Sequence, residues 1–248
     1  QMAPNSTAPT SETRVLRRTT SPRAPCGVRQ ANRTSAGIAT GARVLRSGQW
    51  ATGNVEVSGD LGFELYQQGM GLWFRHMFGA VSTSGAGPYT HTFTPGDLTD
   101  DHFTLQIGKP DVGGTVQPFT YAGCKVTEWE LAAKAGELVT LGVSVVGRDL
   151  ATATSLATAA YGTGSGLPFS FAHASVTVGG SAAYVKEITL KGSNGLAVDR
   201  RGIGSAYIKE PLEAELRTYE GEMVCEFESL AQMNLFRNGT ENALVLTI

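Results

Sequence analysis

The sequence predicts a mainly β protein in which a strand running into a short helix occurs twice. Three observations carry that prediction. Apolar and polar residues alternate over many short stretches, as in strands with one buried and one solvated face. Glycine is abundant at 31 residues while charged residues make up only 17%, a balance that suits strands joined by tight turns better than a disordered chain. Residues 59–75, GDLGFELYQQGMGLWFR, also align without a gap on residues 221–237, GEMVCEFESLAQMNLFR, at a constant offset of 162. Gly59/Gly221, Glu64/Glu226, Phe74/Phe236 and Arg75/Arg237 are identical across the pair. Asp60/Glu222, Leu61/Met223, Leu65/Phe227 and Trp73/Leu235 keep their character. The agreement marks a duplicated building block.

The elements follow in chain order. Residues 1–36 are rich in Ser, Thr, Pro, Ala and Arg and read as a flexible basic arm, since they cannot bury enough surface to offset their ordering entropy. Residues 37–150 form a first module, with order expected from Ile38. Val55, Val57, Leu61, Phe63 and Leu65 alternate with Glu56, Asp60 and Glu64, a strand with one wet face. At Tyr66 the period changes: Leu72, Trp73 and Met77 define a helical face that Gly79 ends. Gly69 and Gly71 predict close packing or a broken first turn. Strands are expected at Tyr89–Thr94 and Phe103–Ile107, joined by PGDLTDD into a hairpin. A longer hairpin turns at Ala135–Gly136, with Trp129, Leu131 and Ala133 on one arm and Val139, Leu141, Val143 and Val145 on the other.

Residues 151–166, ATATSLATAAYGTGSG, read as a linker or an extended loop. Residues 167–248 form a second module. Strands are expected near Phe169–Val178, Tyr184–Leu190, Ala206–Ile208 and Leu212–Phe227, with a turn at Ser193–Gly195. Ser229 is a good helix N-cap and Asn238–Gly239 a stop, and the β-prone ENALVLTI closes the chain.

Charge is unevenly spread. Residues 1–49 hold eight Arg and one acid, a balance of +7, while residues 50–248 hold 12 basic and 21 acidic residues, a balance of −9. The basic arm suits nucleic acid or an acidic neighbour, and the acidic body of the same polypeptide is the slightly favoured dock. Cys26, Cys124 and Cys225 are too scattered for a disulfide scaffold or a metal site. No apolar run is long enough to span a membrane, and the missing apolar leader predicts synthesis in the cytosol.

No constellation of residues points to catalysis. His91 and His102 beside Asp100 and Asp101 could hold a metal only if their strands paired; an exposed polar face is the simpler reading. His76 among aromatics suits packing, and His173 has no partner in sequence. GTGSG (162–166) and GSNG (192–195) lack the Lys-Ser/Thr of a phosphate loop. Arg200 and Arg201 could read phosphate but suit a surface or interface. The chain is read as a non-enzyme without cofactors or metal.

The segments GARVLRSGQW (41–50), YTHTFTPGD (89–97), GKPDVGGTVQPFTYAGCKVTEWEL (108–131), NGLAVDRRGIGSAYIKEPLEAE (194–215) and FESLAQMNLFRNGTENALVLTI (227–248) resemble the major tail tube proteins of long-tailed phages, most of all those infecting actinobacteria. The resemblance implies β-sandwich/barrel modules carrying one helix, whose rings stack into a hollow tail. It also implies, as partners, further copies of the chain, a tape-measure protein, tail-end proteins and the DNA that passes through. An acidic body suits such a conduit, because like charge keeps phosphate from adhering. Glu128, Glu130, Glu226 and Glu228 are the candidate lumen acids. Trp73, Phe74, Arg75, Leu235, Phe236 and Arg237 are candidate assembly or packing residues of the two helices. Arg14, Arg17 and Arg18 are candidate arm contacts. Two helix-bearing units per chain predict a three-chain, pseudo-hexameric ring, with a six-chain ring as the alternative. A surface or secreted β-sandwich binding module is the competing function.

Overall fold

The computed structural model describes residues 13–16, 26–34, 50–159, 166–227 and 230–248. The elements are β1 (Thr13–Leu16), β2 (Gly27–Gln30), β3 (Arg33–Thr34), β4 (Trp50–Ala51), β5 (Val55–Glu64), α1 (Gly71–Phe78), β6 (Gly79–Ser84), β7 (Thr90–Pro95), β8 (Phe103–Pro110), β9 (Val116–Lys134), β10 (Thr140–Gly147) and β11 (Asp149–Ala151). They continue with β12 (Ser175–Val178), β13 (Ser181–Ala182), β14 (Val185–Ser193), β15 (Thr218–Cys225), α2 (Ala231–Asn238) and β16 (Leu244–Thr247). The protein is mainly β, with two helices among the described residues.

β9 organises the fold. At 19 residues it is long enough to serve two sheets. Its first half pairs with β8 and β11, and its second half pairs with β10 and β14. The hand-over falls at Gly123, whose φ of +64° an L side chain rarely adopts. A strand that changes sheets at a corner is how two layers of a sandwich stay joined. The larger layer runs β15-β14-β9-β10-β5-β2, antiparallel throughout. β14 and β15 therefore extend the sheet begun by β5, β10 and β9.

Strand alternation sorts this layer into two faces. On the inner one, Leu61, Val143, Trp129, Gly192 and Tyr219 form one row across five strands, and Phe63, Leu141, Leu131, Leu190 and Gly221 form the next. α1 packs on this face: Trp73, 1% exposed, lies 4.8 Å from Phe63 and 5.4 Å from Phe103 between ring centroids. A buried aromatic of this size contributes several kcal/mol by area alone, roughly 25 cal/mol per Å2. The helix ends as its glycine signal predicts, with the N–H of Gly79 (φ 98°) donating to the Arg75 carbonyl. Gly69, with φ 82°, turns the chain just before the helix and does not sit inside it.

Several expectations change. Thr90–Pro95 pairs with β6, a strand that the sequence hides in GAVSTS, and β8 pairs with β9. His91 and His102 are thus not hairpin partners, and His102 lies just before β8. Order begins well before Ile38, because β2 adds to the edge of β5 and β1 adds in parallel to β8. Polar side chains do not prevent this, since edge addition needs only backbone N–H and C=O groups. Residues 206–217 form no strand; Arg200, Arg201 and Arg217 hold that loop through its own and neighbouring carbonyls. Ser229 lies outside the described residues.

Candidate assembly surfaces

The outer face of the large layer is a grid of small and acidic residues. One row reads Asp60, Ser144, Glu128, Ser193 and Thr218; the next reads Gly62, Gly142, Glu130, Lys191 and Glu220; the third reads Glu64, Thr140, Ala132, Thr189 and Glu222. These three rows hold six carboxylates (Asp60, Glu64, Glu128, Glu130, Glu220, Glu222) against Lys191, and no large apolar side chain. Lys191 Nζ sits 3.1 Å from Glu130 Oε2, and Ser144 Oγ donates to Asp60 Oδ1 at 2.7 Å. The acid in each contact is solvated, so these contacts contribute little to stability and leave a negative field over the face.

Of the candidate acids, Glu128 and Glu130 lie in the grid. Glu226 follows the last residue of β15 and meets Lys186 at 3.0 Å, and Glu228 lies outside the described residues. Asp60, Glu64, Glu220 and Glu222 complete the face. The alternation of TYEGE (218–222) already carried the signal for the last two.

The two helices differ in surroundings. Trp73 is buried, Phe74 half-buried 5.6 Å from Phe93, and Arg75 reaches Asp101 at 3.5 Å. On α2, Leu235 is half-buried while Met233 and Arg237 are exposed, as is Leu230 just before it. The side chain of Phe236 lies outside what is described, as do that of Arg14 and the whole of Arg17 and Arg18. β15, which leads into α2, is exposed along most of its length, and among the described residues it pairs with β14 alone.

A buried lysine and a half-buried arginine tie the halves of the chain together. Lys125 of β9 is 2% exposed; it donates to the carbonyls of Leu98 and Pro211 and pairs with Glu210. Glu210 also accepts from the Asp100 N–H at 2.7 Å, and its carboxyl is held below the usual range by these partners although burial opposes them. Arg217 donates to the carbonyls of Phe78 and Gly96, closing the C-terminal end of α1. A lysine in a strand reads as solvent-facing; Lys125 is instead enclosed by the loops that carry Leu98, Glu210 and Pro211, and no sequence period announces those contacts.

Gln106 is 1% exposed and holds the loop after β11. Its amide donates to Ser155 O at 3.0 Å and Thr120 Oγ1 at 2.9 Å, and its oxygen accepts from Ala157 N at 2.7 Å. The first part of the 151–166 segment is thereby laced to the body.

Three of the histidines and two of the cysteines have packing or hydrogen-bonding surroundings. His76 packs 4.8 Å from Phe103, its Nδ1 3.3 Å from Asp101 Oδ1 but out of hydrogen-bond alignment. Burial pushes its pKa down to about 4, against the pull of Asp101, so the imidazole is neutral at pH 7. Burial pushes the Cys26 thiol up to about 11 and Cys124 to about 12, which makes them poor nucleophiles. His91 Nδ1 bonds Thr83 Oγ1 at 2.8 Å, and His173 closes a capping box with Ser170. Among the described residues no three His, Cys, Asp or Glu could share a metal ion, and no helix is long and apolar enough to cross a membrane.

The described residues form a layered β protein with a broad polar sheet face. The chain belongs to the phage tail tube protein family, whose model matches residues 4–248. It is a component of the virion tail and not an enzyme. The curated proteins contain no match to it.

Proposed function

We propose that copies of this chain close head-to-tail into rings, that the rings stack into the tail tube, and that the acidic grid lines the bore through which DNA leaves. The observation that carries this reading is the grid itself. The three rows of Gly, Ala, Ser and Thr studded with carboxylates offer phosphate no cation to hold except Lys191, which Glu130 already meets. Ring closure also covers the sheet edges that a lone chain leaves open.

Strand geometry speaks to ring size. Six strands per chain, about 4.8 Å apart and tilted about 40°, give roughly 35 Å between backbones for three chains and about 70 Å for six. Side chains take several Å from each wall, so three chains leave little more than the width of a duplex with its grooves about 8 Å deep. The six-chain ring is the one that passes hydrated DNA. The three-chain ring suggested by the internal repeat remains the measurable alternative. A tape-measure protein filling the bore before ejection, tail-end proteins capping it, assembly in the host cytoplasm and kinship with tubes of actinobacterial phages all follow from the segments quoted above.

The test is electron microscopy of the purified chain, with class averages down the particle axis. Hollow rings with six equal lobes support the proposal in full. Three-fold modulation keeps the tube and returns the ring to three chains. A persistent monomer contradicts the assembly reading and favours a binding module.

A further inference from the structure

We infer that the C-terminal flank of the sheet, β15 with α2, docks on the N-terminal flank of a second copy of the chain, and that α2 there covers a surface its own chain does not supply. This inference rests on the ring reading above and names the surfaces that meet.

The argument starts from α1. That helix begins over β5, with Trp73 against Phe63, and ends over β9 and β15, with Phe78 5.5 Å from Trp129 and 6.4 Å from Tyr219. It crosses the sheet in the direction of β15. Four antiparallel pairings separate β5 from β15, so the two strands run the same way. The matched sequences place a second strand–helix unit on β15, at the last strand of the sheet. A unit of the same hand directs α2 past that strand, beyond which no described strand pairs with the sheet; β16, after α2, joins β12 and β13 in a separate sheet. Exposure agrees with this path: Phe227 is 78% exposed, Leu230 55% and Met233 46%.

Charge commits the occupant. The exposed strand β15 carries Glu220 and Glu222, whereas the opposite flank carries the exposed Arg29 on β2 and Arg33 on β3. That basic flank is also apolar. Val28 and Tyr207 are each 38% exposed and Ile203 fully so, and the loop bearing the last two is tied to the start of β5 by Val55 N donating to Ala206 O. An acidic, apolar edge and a basic, apolar edge at opposite ends of one sheet fit head-to-tail copies, whereas two equal edges would repel.

The test uses the full chain, its critical concentration for ring formation read by sedimentation and its fold by thermal melting before assembly. Met233→Asp, Arg29→Glu and Glu222→Lys should each raise that concentration at least about tenfold with an unchanged midpoint. The double variant Arg29→Glu/Glu222→Lys should recover assembly. If wild type assembles and all three single variants assemble equally well, or if the double variant stays apart, the inference falls while the tube reading stands. If wild type itself never assembles, both fall. Should Met233→Asp lower the midpoint, the charge-reversed set decides alone, since its positions lie on exposed surface.

Discussion

The two strand–helix units show what one pattern does in two surroundings. The first, β5 into α1, has four further strands on one side of it, and its helix lies over the sheet with Trp73, His76 and Met77 buried. The second, β15 into α2, comes at the edge of the same sheet and keeps Met233 and Leu230 in water. Their sequences differ accordingly: Trp73 is matched by Leu235 and His76 by Asn238. Burial is thus fixed by position in the sheet as much as by pattern, and the exposed apolar side chains around the second helix are available to a neighbour.

The comparison can be broken most severely in the first unit. Trp73→Ala should cost about 3–5 kcal/mol in denaturant melts of the unassembled chain, as deletion of a fully enclosed aromatic does. A loss near zero would mean that α1 is no better packed than α2.

Acid should act on the same unit. Native His76 resists protonation down to about pH 4, whereas the unfolded chain takes the proton from its ordinary value of 6.5. The unfolded state therefore binds more protons between those values, and stability falls as pH drops from about 6.5 to about 4, by roughly 3 kcal/mol at most. His76→Asn, which installs the residue found at the matching place in α2, should remove that slope in melts across the window. A slope unchanged in the variant would assign it to other groups.

Lys125→Met tests the tie between the halves. It leaves Glu210 and two carbonyls without their cation, and because Glu210 is partly solvated the cost should be about 2 kcal/mol, below that of a wholly buried pair. Met233→Ala should have the smallest effect, within about 0.5 kcal/mol in the unassembled chain, as for exposed positions generally. A large loss there would place α2 in the chain's own core.

Much of this was legible from residues alone. Odd-numbered apolar positions from Val55 to Leu65 and from Val139 to Val145 mark the packed face, and their neighbours mark the acidic one. The helix over Gly71–Phe78 and its glycine stop were equally plain. What could not be read depends on contacts distant in sequence. β6 is built of small polar residues with Val81 as its lone large apolar one, so only its ladder to β7 identifies it. Lys125 is enclosed by loops distant in sequence, and the loop of residues 206–217 is held by Arg200 and Arg201 from nearby and by Arg217, which reaches carbonyls far away in the chain. Neither of these announces itself by a period.

The central claim is that the acidic grid faces the bore. Glu128→Cys in a Cys225→Ser background places one reactive thiol in the grid, the remaining two being buried. Assembled tubes would be treated with a small maleimide and with one carrying a large polymer, alongside the unassembled chain. The account predicts that both reagents label the free chain but that only the small one labels the tube along its length. Equal labelling of tubes by the large reagent would put the acidic face on the outside and contradict it.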